Sequence, residues 1–92
     1  MSDHERDASP RVAVLDIDGV LADVRHRLHH IEGPRRDWDA FFGTVSADPV
    51  LEEGRAEALA ATRSGLAIVY LTGRPERCRA DTVQWLSDHG LP

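Results

Sequence analysis

The sequence predicts an α/β fold, a parallel βαβα core with a small flap after the first strand. Two short apolar runs carry that expectation. Val12-Ala13-Val14-Leu15 ends in Asp16-Ile17-Asp18-Gly19, and Ile68-Val69-Tyr70-Leu71 ends in Thr72-Gly73-Arg74. Apolar runs of this length, bounded by turn residues, read as fully buried strands of a parallel sheet. A stretch with helical apolar spacing lies between them, and another follows the second. A helix joining two strands of one sheet makes a right-handed unit with the strands parallel. Both polar tips then share the carboxyl edge, where open α/β sheets bind ligands.

Residues 1–10 read as a polar tail, and residues 11–16 as the first strand. Gly19 lets the chain turn directly after the second acid. From 17 to 33, Val20, Leu21, Val24, Leu28 and Ile31 have partly helical spacing, interrupted by His26, Arg27, His29 and His30. This segment reads as a flap or short helix over the strand tips, ended by Gly33-Pro34. Asp37 is the expected N-cap of a short helix whose Trp38, Phe41 and Phe42 share one face. Asp48-Pro49 reads as cap and first residue of a longer helix. That helix runs to about Ser64, with Leu51, Ala58, Leu59 and Thr62 on one face and Gly65 as its stop. Leu66–Leu71 is the second strand. A last helix starts near Pro75-Glu76 and runs to about His89. It buries Cys78, Thr82, Trp85 and Leu86, and Gly90 caps it.

Ninety-two residues make one small domain. A hydrophobic content of 41% with 29% charged residues suits neither a disordered nor a membrane-embedded chain. No apolar run approaches the ~18 residues of a spanning helix, and the polar N-terminus lacks a signal-peptide core. The single cysteine, Cys78, forms no disulfide within the chain, in keeping with a reducing, cytoplasmic setting. The net charge of −5 argues against nucleic-acid binding by bulk electrostatics.

Asp16-Ile17-Asp18-Gly19-Val20 resembles the first signature of the haloacid dehalogenase superfamily, and Leu71-Thr72-Gly73 resembles its second. The order and spacing are those the family uses. The resemblance spans roughly residues 11 to 92 and is nearest to the phosphatase domain of polynucleotide kinases. Asp16 to Asp23 also looks like the deoxyribonucleotidase branch. The implied fold is the N-terminal half of the family's Rossmann-like catalytic domain. The implied activity is a magnesium-dependent phosphohydrolase that works through an aspartyl-phosphate. The implied substrate is a phosphorylated small molecule, such as a nucleotide, or a nucleic-acid end, with no membrane partner.

The resemblance implies that Asp16 is the nucleophile and Asp18 the general acid and then base. Mg2+ is held by Asp16 and the main-chain carbonyl of Asp18. The Thr72 hydroxyl, the Gly73 N–H and Arg74 bind the phosphate. The chemistry asks for such a set: an in-line nucleophile, charge neutralisation and a proton for the leaving oxygen. Two neighbouring acids suit a division of roles, one carboxyl having its pKa raised by the other. The family's later lysine and metal-binding acids have no counterpart here: all 11 basic residues are arginines. The chain therefore reads as a truncated or split domain, poorly active alone. Its sheet edge is left for self-association or a completing chain. A phosphate- or metal-binding remnant without turnover, or an interaction half, is the alternative from another class. A receiver-like phospho-acceptor domain fits less well, because its acids would be adjacent.

Plainer readings stand beside these. The Asp16 and Asp18 pair suits a helix cap or turn, and Thr72-Gly73 suits a cap of the last helix. Arg74 pairs with either a phosphate or a surface acid. His26, His29 and His30 read as solvated flap residues, because nothing completes a tetrahedral ligand set around them. Arg25, Arg27, Arg35 and Arg36 read as surface charge, with polynucleotide contact the alternative. Trp38, Phe41 and Phe42 read as a helix staple before a base-stacking platform.

Overall fold

The computed structural model describes residues 11–92, and the polar segment 1–10 lies outside the described residues. It is a mixed α/β arrangement around a two-stranded parallel sheet. β1 (Val12–Asp16) pairs with β2 (Ala67–Leu71) in the register Val12↔Ala67 to Asp16↔Leu71. Three α-helices accompany it: α1 (Trp38–Gly43), α2 (Glu52–Arg63) and α3 (Arg79–Asp88). Short 3-10 helices occupy Arg25–His30, Val45–Ala47 and Glu76–Cys78. Among the described residues, no helix is long and apolar enough to cross a membrane.

The strands are not buried on both faces as their unbroken apolar runs suggest. Exposure alternates along both. Leu15 and Tyr70 face the core, whereas Val12, Val14, Val69 and Leu71 are 43–55% exposed. The register brings like faces together, so one face of the sheet is open and, short of Asp16 at its carboxyl end, apolar. An apolar run gives strand length but not the number of covered faces. β-Branched residues serve a half-buried strand as well as a buried one.

The core is built around the turn after β1. Ile17, Leu21, Ala22, Ala58, Trp85, Leu86 and Leu91 cluster together there. Gly19 takes φ +85°, and the Ile17 carbonyl accepts from the N–H groups of Leu21 and Ala22, each at 2.9 Å. α2 lies directly on this turn. A Cβ added at Gly54 would sit 2.0 Å from the Val20 carbonyl oxygen, so only glycine permits the approach. Gly54→Ala is therefore expected to cost ~1–3 kcal/mol or more, because backbone rather than a mobile side chain must yield. A urea unfolding midpoint equal to that of wild type would show that the contact is not tight.

α2 starts three residues later than Asp48-Pro49 suggests. Its N-cap is Leu51, without a side-chain cap bond. Residues 49–51 instead run beside the loop after β1: Asp23 N–H donates to Pro49 O at 2.8 Å and Leu51 N–H to Leu21 O at 2.7 Å. Asp48 is thereby drawn inward, where its carboxylate meets arginines. An acid before a proline suits a cap, but two buried guanidinium groups outbid one backbone N–H. The buried face of α2 runs through Gly54 and Ala58, leaving Thr62 exposed.

The remaining elements follow their local chemistry. Asp37 caps α1 by accepting from Ala40 N–H at 2.9 Å. Trp38, Phe41 and Phe42 lie with ring centroids 5.1–5.9 Å apart. Gly65 (φ +85°) ends α2 and Gly90 (φ +69°) follows α3. The last helical segment opens as a 3-10 turn at Glu76 before α3, and Cys78, Thr82, Trp85 and Leu86 form its buried stripe.

Candidate functional site

Asp16 ends β1 opposite Leu71, the last residue of β2. Asp16 and Thr72 therefore stand at the same, carboxyl edge of the sheet. Ile17 turns inward and is 1% exposed. Asp18, one residue on, reaches across to the second strand tip. Its Oδ2 accepts from the Thr72 hydroxyl at 2.8 Å. Thr72 Oγ1 in turn accepts from Arg74 N–H at 3.2 Å, which shapes the turn after β2. The Gly73 N–H donates to no group among the described residues.

Arg74 is buried rather than paired at the surface. Its side chain is 2% exposed. Nε and Nη2 reach Asp18 Oδ1 at 3.0 and 2.9 Å. Nη2 also lies 3.2 Å from Asp48 Oδ2, and Nη1 donates to Thr82 Oγ1 at 2.9 Å.

Arg27 overturns its reading as surface charge. It is 1% exposed and grips Asp48 with two parallel bonds of 2.8 Å, from Nε to Oδ1 and from Nη2 to Oδ2. Nη2 also reaches Asp18 at 3.1 Å. The guanidinium lies 4.4 Å from the Phe41 ring centroid, a cation–π distance. Asp48 has no exposed side-chain surface, and its main-chain carbonyl accepts from the Trp85 indole N–H at 2.7 Å. Two carboxylates and two guanidinium groups thus close into one cluster at the sheet edge, with Arg27, Arg74 and Asp48 buried and Asp18, 33% exposed, on its open side. Every charge in it is paired, as burial demands.

His26 is not a freely solvated flap residue either: its Nε2 lies 2.5 Å from Asp48 Oδ1, at the rim of the cluster. Arg25 folds back onto Asp23 through bonds from its N–H, Nε and Nη2. Arg35, Arg36 and His29 are exposed and stand outside the cluster. His30, half-buried, lies against His29 with centroids 4.0 Å apart and ring planes tilted by 40°. Sequence reasoning missed Asp48 and under-read Arg27. A polar residue inside an apolar pattern was the available signal for Arg27, two residues before a histidine pair. Asp48 gave none that distinguishes it from a helix cap.

Electrostatics at Asp18 run against the expectation of a raised acid. Burial pushes its carboxyl up. The hydrogen bonds from Arg74 and Thr72, with the charges of Arg74 and Arg27, outweigh burial and hold it below the ordinary 3.8. The nearest charged groups are cations rather than a second carboxylate, which explains the sign. A depressed carboxyl lends stability that is complete above its unfolded-state value and is lost as pH falls through the folded one. Stability is therefore expected to fall as pH drops below ~4, and Asp18→Asn to flatten that part of the curve. Urea unfolding across this range checks it; identical acid limbs in the two proteins would exclude Asp18 as the source.

Asp16 is exposed and makes no side-chain hydrogen bond among the described residues. No group of three or more His, Cys, Asp or Glu side chains is placed to hold a metal ion among them. The Asp16 carboxylate and the Asp18 main-chain carbonyl are hard oxygens without a described donor. That set fits magnesium, which commonly takes one or two carboxylates and fills its octahedron with water and substrate phosphate. Comparison with protein-family models, curated proteins and solved structures finds no match to this chain.

Proposed function

We propose that the chain is the N-terminal part of a haloacid dehalogenase-type phosphohydrolase, with its half of the family's Rossmann-like domain. The observation that carries this reading is the meeting of two strand tips. Asp16-Ile17-Asp18-Gly19 and Thr72-Gly73-Arg74 share one sheet edge, and Thr72 donates to Asp18 across it at 2.8 Å.

In this reading Asp16 Oδ attacks the phosphorus of a phosphate monoester in line. The ester P–O bond breaks, and the leaving oxygen takes a proton from Asp18. Asp18 then removes a proton from water, which attacks the phosphorus and releases Asp16 and inorganic phosphate. The Gly73 N–H and the Thr72 hydroxyl, released from Asp18, donate to the phosphoryl oxygens, and Arg74 and Arg27 neutralise their charge. An incoming phosphate competes with Asp18 for both arginines. Its negative charge raises the Asp18 carboxyl, the direction a general acid needs. Mg2+, bound by Asp16 and the Asp18 carbonyl, would offset the repulsion between nucleophile and phosphate.

The substrate is a nucleotide or a nucleic-acid end, and the setting cytoplasmic. The open apolar sheet face and its unpaired edges suit self-association or a completing chain. A second reading, a phosphate-binding module without turnover, is favoured by the salt bridges that hold Asp18.

Hydrolysis of p-nitrophenyl phosphate and nucleoside monophosphates, with and without magnesium, tests the proposal, alongside sedimentation. Magnesium-dependent turnover well below the ordinary ~10 s⁻¹ is expected from the 92 residues, with a self-associating species in the centrifuge. Phosphate binding without any turnover or labelling favours the second reading. Neither binding nor turnover refutes both.

A further inference from the structure

We infer that Asp48 is a positioning residue of this site: its buried carboxylate sets the Arg27 and Arg74 guanidinium groups in place to receive a phosphoryl group. The inference rests on the phosphohydrolase reading above. The Asp48 carboxylate contacts Arg27, Arg74 and His26 and has no side-chain surface exposed.

Four contacts use up its acceptor capacity. Oδ1 takes Arg27 Nε at 2.8 Å and His26 Nε2 at 2.5 Å. Oδ2 takes Arg27 Nη2 at 2.8 Å and Arg74 Nη2 at 3.2 Å. The parallel pair to Arg27 fixes both the position and the plane of that guanidinium. Arg74 is held from two sides, by Asp48 and by Thr82. Arg27 Nη2 and Arg74 Nε then meet on one oxygen, Asp18 Oδ1, at 3.1 and 3.0 Å, while Arg27 Nη1 donates to the Phe41 carbonyl. That oxygen marks the spot where an anion finds two preset guanidinium groups.

The backbone secures Asp48 in its turn. Trp85 donates to its main-chain carbonyl at 2.7 Å from a side chain 2% exposed. Pro49 and Leu51 are tied to the loop after β1. The rigid core thus fixes Asp48, and Asp48 fixes the arginines. Without it, two long cationic side chains must be ordered when phosphate arrives, and that ordering weakens binding.

The test follows the Nε–H resonances of Arg27 and Arg74, together with affinity for inorganic phosphate. It compares the wild-type chain with Asp48→Asn. Loss of the carboxylate should shift and broaden both Nε–H signals while the β1 and β2 amides stay in place. Phosphate affinity should fall about ten- to a hundredfold, the worth of one or two charge-assisted hydrogen bonds. Unchanged Nε–H signals and unchanged affinity overturn the inference. Should Asp48→Asn not fold, Arg27→Gln is compared with Arg27→Gln/Asp48→Asn, which removes a whole charge pair. The double variant should bind phosphate more weakly and lose the Arg74 signal; equal behaviour overturns the inference. Absence of phosphate binding in wild type defeats the phosphohydrolase reading instead. The Arg74 signal alone then decides for or against Asp48.

Discussion

Asp16→Asn is expected to abolish covalent phosphorylation of the chain altogether. The amide lone pair is delocalised and the carboxylate is the only nucleophilic oxygen the proposed step uses. The fold should not notice the change, because Asp16 is exposed and has no side-chain hydrogen bond among the described residues. Asp18→Asn should behave differently. It leaves the proposed nucleophile in place and removes the proposed proton donor, an expected loss of ~10²–10⁴ in rate. The measurement is mass-spectrometric detection of the adduct formed from acetyl phosphate with magnesium. Beryllofluoride binding, read by fluorine resonance, reports on the same oxygen without any turnover. An Asp16→Asn chain that still labels as fast as wild type would mean that the nucleophile lies elsewhere.

Arg27→Ala is expected to cost ~3–5 kcal/mol of folding stability, because it strands the Asp48 carboxylate in the interior without its bidentate partner. The contrast with the surface is large. Arg77 meets Asp39 at 3.0 Å, but both side chains are more than half exposed, so Arg77→Ala should leave the unfolding midpoint where it is. A buried pair is worth less as a pair than either half costs alone. The double change Arg27→Met/Asp48→Leu should therefore recover much of what Arg27→Ala loses. Urea unfolding measures all three. A loss for Arg27→Ala no larger than that for Arg77→Ala would show that water reaches the cluster.

The sheet and its polar tips were legible because their signals are local. An apolar run that stops at an acid, or at Thr72-Gly73, states both strand and turn within eight residues. The capping of α1 by Asp37 and the buried stripe of α3 were legible for the same reason. The cluster behind the tips was not. Arg27 and Asp48 each look like ordinary polar residues of a loop, and their pairing depends on residues 49–51 running beside the turn after β1. No periodicity encodes that approach. The misplaced start of α2 has the same origin: Asp48 had one local use, as a cap, and tertiary charge pairing overrode it. Gly54 belongs here too. In the sequence it weakens a helix, and only the Val20 carbonyl beside it explains its presence. The pattern of strands says nothing about what covers the outer face formed by Val12, Val14, Val69 and Leu71.

Asp18, Arg27, Asp48 and Arg74 come from four segments that are distant along the chain but meet around a few oxygens. Opening the segment of Arg27, Asp48 or Arg74 alone takes away one partner and leaves the buried charges beside it short of a counter-charge, which opposes piecemeal opening. The site should therefore open as a single cooperative unit, and its amides should exchange with solvent at one common free energy. The same linkage ties ligand to fold: an anion that binds only the closed cluster raises the stability of all four segments at once, by an amount set by its concentration relative to its dissociation constant. Melting temperature then becomes a reporter of occupancy, and a substrate can be sought among phosphorylated compounds by thermal shift, without any assay of turnover.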